Sequence, residues 1–246
     1  VAIQLQAIYM GFSTAISGVF LPKVTAMVTK ENNEKAISDL FIRTGRIQYI
    51  IIAFILTGFV VFGKSFIRLW AGSDYEDAYG ITLCFFIPMT VPLIQNLGII
   101  ILQARNQMKF RSTLYVVIAF VSLVISIPLS KQYGGIGCAI SIALALTTGQ
   151  IIVMSIYYHR VIHIDILDFW KEIGKMSLVP FAIGSLSFYL FCIYEIHTVQ
   201  IFIVCIFAFS CIYVPLFWFF GMNAYEKELF VSPVRRFVGR LQKNLQ

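Results

Sequence analysis

Charged residues are missing from seven long stretches of this sequence, although its 246 residues include 19 Lys or Arg and 12 Asp or Glu. The stretches are residues 1–22, 47–63, 78–104, 112–130, 132–158, 176–194 and 196–225. About 20 apolar helical residues cross the hydrocarbon core of a bilayer, and one ionised side chain at its centre costs at least ~2.5–3.5 kcal/mol. The pattern therefore predicts an all-α, polytopic integral membrane protein with seven transmembrane helices.

Cysteine and histidine are also few, and their placement argues against a metal centre or a disulfide framework. All five cysteines lie inside the charge-free stretches, no two of them form a Cys-x-x-Cys pair, and the three histidines form no cluster. Isolated cysteines in apolar helices are typical of small side chains packed between helices. We therefore predict neither a metal site nor a cofactor.

The charges that are present alternate from one connecting segment to the next. Sixteen of the 19 Lys and Arg lie in the first, third and fifth connections and in the C-terminal tail, and the other connections hold only Lys64, Arg68 and Lys131. Cationic connections stay on the cytoplasmic side of a membrane. This predicts a cytoplasmic C terminus and, with an odd number of spans, an external residue 1. The net charge of +7 then reflects topology and contact with anionic lipids, not nucleic-acid binding.

The third charge-free stretch differs from the other six because it holds two prolines and several amides. Pro88 and Pro92 each remove a backbone donor, so we predict that this helix kinks or partly unwinds near mid-membrane. At 3.6 residues per turn, Asn96 and Gln103 fall on the same helical stripe as the two prolines, and Gln95 lies beside that stripe. Such a stripe favours protein or a water-lined cavity over lipid. The prolines are either a hinge between transport states or a static bend.

Cations cluster at the predicted cytoplasmic ends of spans two, three and four, and they are the candidate substrate-binding residues. They are Arg43, Arg46, Arg105, Lys109 and Arg111. Guanidinium groups match phosphate oxygens bidentately, which favours a phosphate-bearing substrate and makes Arg46 and Arg105 the preferred residues. The alternative is that these cations only set the topology and contact headgroups. For the three amides, the alternatives are sugar binding in a wet cavity and hydrogen bonds between helices.

Short motifs along residues 1–221 resemble those of one family in their order and spacing. They are FLPK at 20–23, LFIRTGR at 40–46, FGK at 62–64, LWAG at 69–72, PLIQN at 92–96, QARN at 103–106, KFR at 109–111 and YGGIGCA at 133–139. On these motifs the chain resembles the second half of the Wzx-type polysaccharide flippases. That family belongs to the superfamily that also contains the multidrug and toxin extrusion (MATE) antiporters.

The resemblance implies a fold and a division of the chain. Members of the family have two six-helix lobes that face each other in a V, often with two extra C-terminal helices. Residues 1–160 would be five transmembrane helices of the C-terminal lobe, 161–221 the additional pair and 222–246 a cytoplasmic basic amphipathic tail. Because the sequence begins inside an apolar stretch at Val1, we expect a C-terminal portion of a longer protein.

The function that the resemblance implies is transport and not catalysis. A flippase of this family passes an undecaprenyl-pyrophosphate-linked oligosaccharide, such as an O-antigen or capsule unit, from the inner to the outer leaflet of the bacterial cytoplasmic (inner) membrane by alternating access. Expected partners are that lipid-linked substrate, membrane lipids, and a glycan polymerase or glycosyltransferases.

Two alternatives stay open. A multidrug antiporter of the same fold is disfavoured because no carboxylate occurs inside the predicted spans, where a cationic drug would need one. A membrane-embedded enzyme of glycan assembly is disfavoured because the sequence offers neither a sizeable loop nor an intramembrane catalytic side chain.

Overall fold

The chain folds into a bundle of α-helices, and no strand occurs among the residues that the structure describes. The computed structural model describes residues 1–30, 34–192 and 198–232. The helices are α1 (Ala2–Lys30), α2 (Glu34–Ala71), α3 (Ala78–Ile94), α4 (Leu97–Ala104), α5 (Met108–Leu146), α6 (Met154–Arg160), α7 (Ile166–Cys192), α8 (Val199–Leu216) and α9 (224–232). A 3₁₀ turn follows α2, and π-helical segments follow α5 and α8. The predicted all-α fold class is confirmed for these residues.

Several helices are long and apolar enough to cross a membrane. Four helical runs meet that description, and a fifth is added when α3 and α4 are taken together as one bent span. The four are Glu34–Ala71, Met108–Arg160, Ile166–Leu190 and Val199–Gly221. These helices are consistent with a multi-pass membrane protein, whereas the number of seven spans stays a prediction. Most of the predicted basic tail, residues 233–246, lies outside the described residues.

The run Met108–Arg160 turns back on itself at Gly134, so its two arms lie side by side. Gly134 has φ 59° and ψ −136°, a conformation that favours glycine because it has no Cβ. The rings of Phe110 and Tyr157 stack with their centroids 4.1 Å apart, whereas one straight helix would separate them by ~70 Å at 1.5 Å per residue. The two arms contain the fourth and fifth charge-free stretches.

The third charge-free stretch forms α3 and α4, which are bent by 48° relative to each other. The predicted break is therefore confirmed. Both prolines lie inside α3, and the break follows at Gln95, whose φ of −96° and ψ of 11° end the helix. There the backbone bonding tightens, because the Asn96 N–H donates to the Leu93 carbonyl three residues earlier. Of the residues in the predicted stripe, Pro88 is buried in α3 and Gln103 is exposed in α4.

Contacts between connecting segments show which helix ends lie together. At one end, the Asp165 N–H donates to Ser38 Oγ at 2.9 Å, and Arg105 Nη1 donates to the Ile162 carbonyl at 3.3 Å. The first, third and fifth connections, which hold most of the cations, therefore meet at this end, which we call the basic end.

The other end of the bundle is formed by the region between α2 and α3 and by the start of α8. Arg68 and Lys64 both pair with Glu76, and the ring of Phe66 stacks on that of Phe202 with centroids 6.2 Å apart. The helices therefore run alternately between two ends, as the charge pattern predicts. Which end faces the cytoplasm stays a prediction.

Candidate functional site

Arg46 lies in a buried cluster of charges at the basic end. Its Nε and Nη2 donate to the two carboxylate oxygens of Glu226 on α9, and its Nη1 donates to Glu172 Oε2 on α7 at 2.6 Å. The side chains of Arg46 and Glu226 are 6% and 1% exposed. Glu226 therefore binds the guanidinium group in the bidentate geometry that arginine favours, and Glu172 accepts one further bond. We call these three residues the Arg46 cluster.

The residue before Arg46 allows α2 to come close to its neighbours. A Cβ added to Gly45 would lie 2.5 Å from the Phe169 ring of α7 and 2.8 Å from the Ile94 carbonyl oxygen of α3. A side chain at this position would push these helices apart. Glycine at position 45 thus brings α7 near enough for Glu172 to reach Arg46.

Glu226 is held by the start of its own helix. Its N–H donates to Asn223 Oδ1 at 2.9 Å, and the Asn223 N–H donates to Glu226 Oε2 at 2.9 Å. This reciprocal pair is a capping box, in which two side chains bond the free N–H groups of a first helical turn. Glu226 therefore both starts α9 and neutralises Arg46.

Arg105 follows α4 in the turn that joins the broken span to α5. Its Nη1 donates to the Ile162 carbonyl, but its Nη2 is buried and has no hydrogen-bond partner among the described residues. Asn106 beside it has φ 54°, a left-handed conformation that Asn tolerates better than most residues. A buried charged donor without a partner is costly. This nitrogen is therefore an unsatisfied donor in this structure.

The other predicted cations also lie near the basic end, each in its own surroundings. Arg43 is exposed, and its guanidinium carbon lies 5.1 Å from the centre of the Tyr225 ring, within cation–π distance. Arg111 donates to the Tyr115 hydroxyl at 2.9 Å, and Lys109 is exposed. The structure thus holds Arg43 and Arg111 with tyrosines, whereas it holds Arg46 with acids.

A second polar cluster surrounds the break between α3 and α4. The Ser13 hydroxyl of α1 donates to the Leu93 carbonyl at 2.7 Å, next to the break. Gln48 Nε2 donates to Ser17 Oγ at 2.6 Å and lies 3.3 Å from Ser13 Oγ. Asn96 Nδ2 donates to Ser13 Oγ at 3.4 Å. Neighbouring helices therefore bond the polar groups at the break, as broken spans require.

The three predicted amides of the broken span divide into two groups. Gln95 is 2% exposed and donates to Ser155 Oγ at 3.3 Å, and Asn96 is half-buried with its bond to α1. Their contacts match the alternative of hydrogen bonds between helices. Gln103 is exposed, two residues before Arg105. It alone of the three is open to a solute in this structure.

Glu172, Glu226 and Ser13 are absent from the residues predicted by sequence, although they supply polar contacts in the Arg46 cluster and at the break. Glu226 is a buried acid that lies just past the last charge-free stretch, outside the predicted spans. One signal could have found it: Asn followed three residues later by Glu is the spacing of a capping box. Its pairing with Arg46 joins residues 180 positions apart, which no local pattern shows.

No protein-family model, curated protein or solved structure matches this chain. The likeness to the polysaccharide flippases therefore rests on the short motifs alone. Within the described ranges, no group of three or more His, Cys, Asp or Glu could hold a metal ion. The basic end and the broken span are the features from which a function can be argued.

Proposed function

We propose that this chain forms part of a membrane transporter that moves an undecaprenyl-pyrophosphate-linked oligosaccharide from the inner to the outer leaflet of a bacterial cytoplasmic membrane. The observation that carries the proposal is the buried, unpartnered Nη2 of Arg105. In this proposal the nitrogen becomes exposed as the turn after α4 opens, and it then binds a phosphate oxygen without first breaking a hydrogen bond within the protein. The pyrophosphate of a lipid-linked glycan supplies that oxygen.

The broken span supports transport over a static role. Transporters place their substrate sites where helices are interrupted, and Arg105 follows directly after the bent pair α3 and α4. In this proposal Gln103 hydrogen-bonds the first sugar, and Lys109 adds a second positive charge for the pyrophosphate. Both side chains are exposed near Arg105.

Arg46 has a positioning role in this proposal. Its fork is filled by Glu172 and Glu226, so a phosphate would have to displace a carboxylate to bind there. Removing Arg46 would leave a buried acid without its counter-ion. Arg46 therefore holds α7 and α9 against α2, and Arg105 meets the substrate.

The proposal also includes the finer topology. Seven spans result when α1 is counted as a span and the two arms of Met108–Arg160 are counted separately. Residues 1–160 then form five helices of a MATE-like lobe, residues 161–221 form the additional pair, and the C terminus is cytoplasmic. Alternating access moves the substrate between leaflets along the side of the lobe that carries α3 and α4.

The test measures surface glycan in cells that depend on the natural protein. Arg105→Ala at wild-type protein level is expected to lower surface glycan at least about tenfold, because a hydrogen bond to a charged group contributes ~1.5–3 kcal/mol. Arg105→Lys keeps the positive charge but loses the planar guanidinium group, so its surface glycan should lie between that of the wild type and that of Arg105→Ala. Arg160→Ala is the matched control, since Arg160 is exposed at the same end of the bundle.

Two results would contradict the proposal. One is wild-type surface glycan with Arg105→Ala at normal protein level. The other is normal glycan in cells without the protein, combined with a loss of drug resistance, which would favour the multidrug antiporter.

A further inference from the structure

An apolar cavity of about 250 Å³ lies between α2, α8 and α9, beside the Arg46 cluster. Helix α2 contributes Ile50 and Phe54 to its wall, and α8 with its π-helical extension contributes Val214 and Trp218. Phe230 of α9 completes the lining. Every surface that faces the cavity is apolar, so its occupant is a hydrocarbon group and not a sugar or an ion.

Charged groups lie at one end of this cavity. Ile50 is one helical turn from Arg46 along α2, and Phe230 is one turn from Glu226 along α9, so the ion pair lies directly beside the apolar wall. That pair is neutral, and the third member of the cluster, Glu172, also pairs with Lys175. These four groups together offer no net charge to a ligand.

Arg43 is an exposed cation at the same end. It lies seven residues before Ile50 on the same face of α2, a distance of ~10 Å at 1.5 Å per residue. It forms no ion pair among the described residues, and it lies over the ring of Tyr225, three residues after the lining residue Met222. A positive charge thus lies about 10 Å from an apolar cavity.

We propose that this cavity binds one hydrocarbon chain of an anionic membrane phospholipid whose phosphate contacts Arg43. Two of the walls are apolar faces of α2 and α8, which are long enough to cross a membrane, so a lipid chain is the hydrocarbon next to this cavity. One cation without an acid partner complements a headgroup of net negative charge better than a zwitterionic one. The bound lipid would hold α9 against α2 and α8. This site does not depend on the proposed transport function.

Fluorescence quenching provides a direct test, because Trp218 lines the cavity. The full chain has three tryptophans, and replacing Trp70 and Trp170 with Phe leaves Trp218 as the sole emitter. The protein is reconstituted into vesicles of phosphatidylcholine that contain phosphatidylglycerol or phosphatidylcholine with brominated chains at equal mole fraction. Bromine quenches tryptophan only in close contact. We expect an apparent affinity about fivefold higher for brominated phosphatidylglycerol, the ratio that ~1 kcal/mol per basic residue near a membrane corresponds to.

Two variants separate a site from general contact with the bilayer. Arg43→Gln should abolish the preference for phosphatidylglycerol without abolishing quenching. Ile51→Phe, which adds a ring to a lining position, should reduce quenching by both lipids at least twofold. Ile203→Phe is the matched control, because it adds the same ring to a residue of α8 that is 60% exposed and does not line the cavity.

The comparison of the two brominated lipids in the protein with Trp218 as its sole tryptophan tests the proposal even if a further variant fails to fold. Equal quenching by the two brominated lipids would overturn it, because Arg43 would then select no anionic headgroup. Absence of quenching by either lipid would also overturn it, since protein and not lipid would then cover the cavity.

Discussion

Arg46 and Arg105 lie at the same end of the helix bundle, and they differ in the hydrogen-bond partners of their guanidinium groups. Two carboxylates occupy the donors of Arg46, whereas Arg105 has one carbonyl partner and one buried nitrogen without a partner. A guanidinium group bound by carboxylates from other helices holds those helices together, whereas a donor without a partner can bind a ligand once it is exposed. The difference shows that the partners of an arginine, and not its residue type, decide between these roles.

The largest effect on stability is expected when the ion pairs of Arg46 are removed. Arg46→Met leaves Glu226 buried without a counter-ion, so the free energy of unfolding should fall by ~3–5 kcal/mol. Thermal unfolding of the purified protein in detergent measures this. Arg43→Met, on the same helix but exposed, is the matched control and should cost at most ~1 kcal/mol. Equal losses in the two variants would show that Arg46 is not specially held.

A second substitution sharpens the reading of the Arg46 cluster. Adding Glu226→Gln to Arg46→Met removes the uncompensated charge, so the double variant should recover part of the lost stability. If the double variant recovers no stability, the loss in Arg46→Met comes from lost packing of the arginine side chain and not from the uncompensated charge of Glu226.

Arg105→Ala should affect transport and leave the fold unchanged. The buried Nη2 has no partner among the described residues, so the substitution removes only the bond of Nη1 to the Ile162 carbonyl, and we expect the free energy of unfolding to fall by at most ~1.5–3 kcal/mol. Transport, followed with a fluorescent lipid-linked oligosaccharide in vesicles, should fall by about 10- to 100-fold. If Arg105→Ala lost as much stability as Arg46→Met, Arg105 would also have a structural role, which would contradict the proposed difference between the two arginines.

Gln95 and Gln103 extend the comparison to the broken span, because both are glutamines of one charge-free stretch. In a background without natural cysteines, Gln103→Cys should react with a water-soluble thiol reagent at least about tenfold faster than Gln95→Cys. Gln95 is 2% exposed and Gln103 is exposed, so a cysteine at 95 reacts only after local opening. Equal rates would mean that the break itself lies open to water.

The smallest effect is expected for the ion pair at the other end of the bundle. The Arg68 guanidinium beside Glu76, with Lys64 further away, holds the pKa of the Glu76 carboxyl below its usual range. A lowered pKa in the folded state means that the pair stabilises the protein above the ordinary Glu pKa and loses this effect as the pH falls through the lowered value. The melting temperatures of wild type and Glu76→Gln should therefore differ slightly near neutral pH and converge in acid. A difference that grows in acid would contradict the assignment, and because this pair is partly exposed its effect should stay well below that of Arg46.

Much of the fold follows from the sequence, because membrane helices depend on local composition. The charge-free stretches predict the apolar helices, and the paired prolines predict the break in the third. The break lies at Gln95 and Asn96, however, where Ser13 of α1 bonds the Leu93 carbonyl. A proline weakens a helix locally, but the neighbour that bonds the freed groups decides where it bends.

The candidate site was predicted only in part, and the reason is physical. The sequence alone determined that cations gather in alternate connections, because the cost of burying a charge in lipid depends on each residue and its near neighbours. The tertiary structure alone decided that Arg46 is paired and Arg105 is not, because an ion pair depends on which distant helix supplies the acid. Glu226 reaches Arg46 across 180 residues and is held by the capping box at Asn223, whereas Glu172 reaches Arg46 through the close approach of α7 at Gly45. Such a contact exists only once the helices have packed.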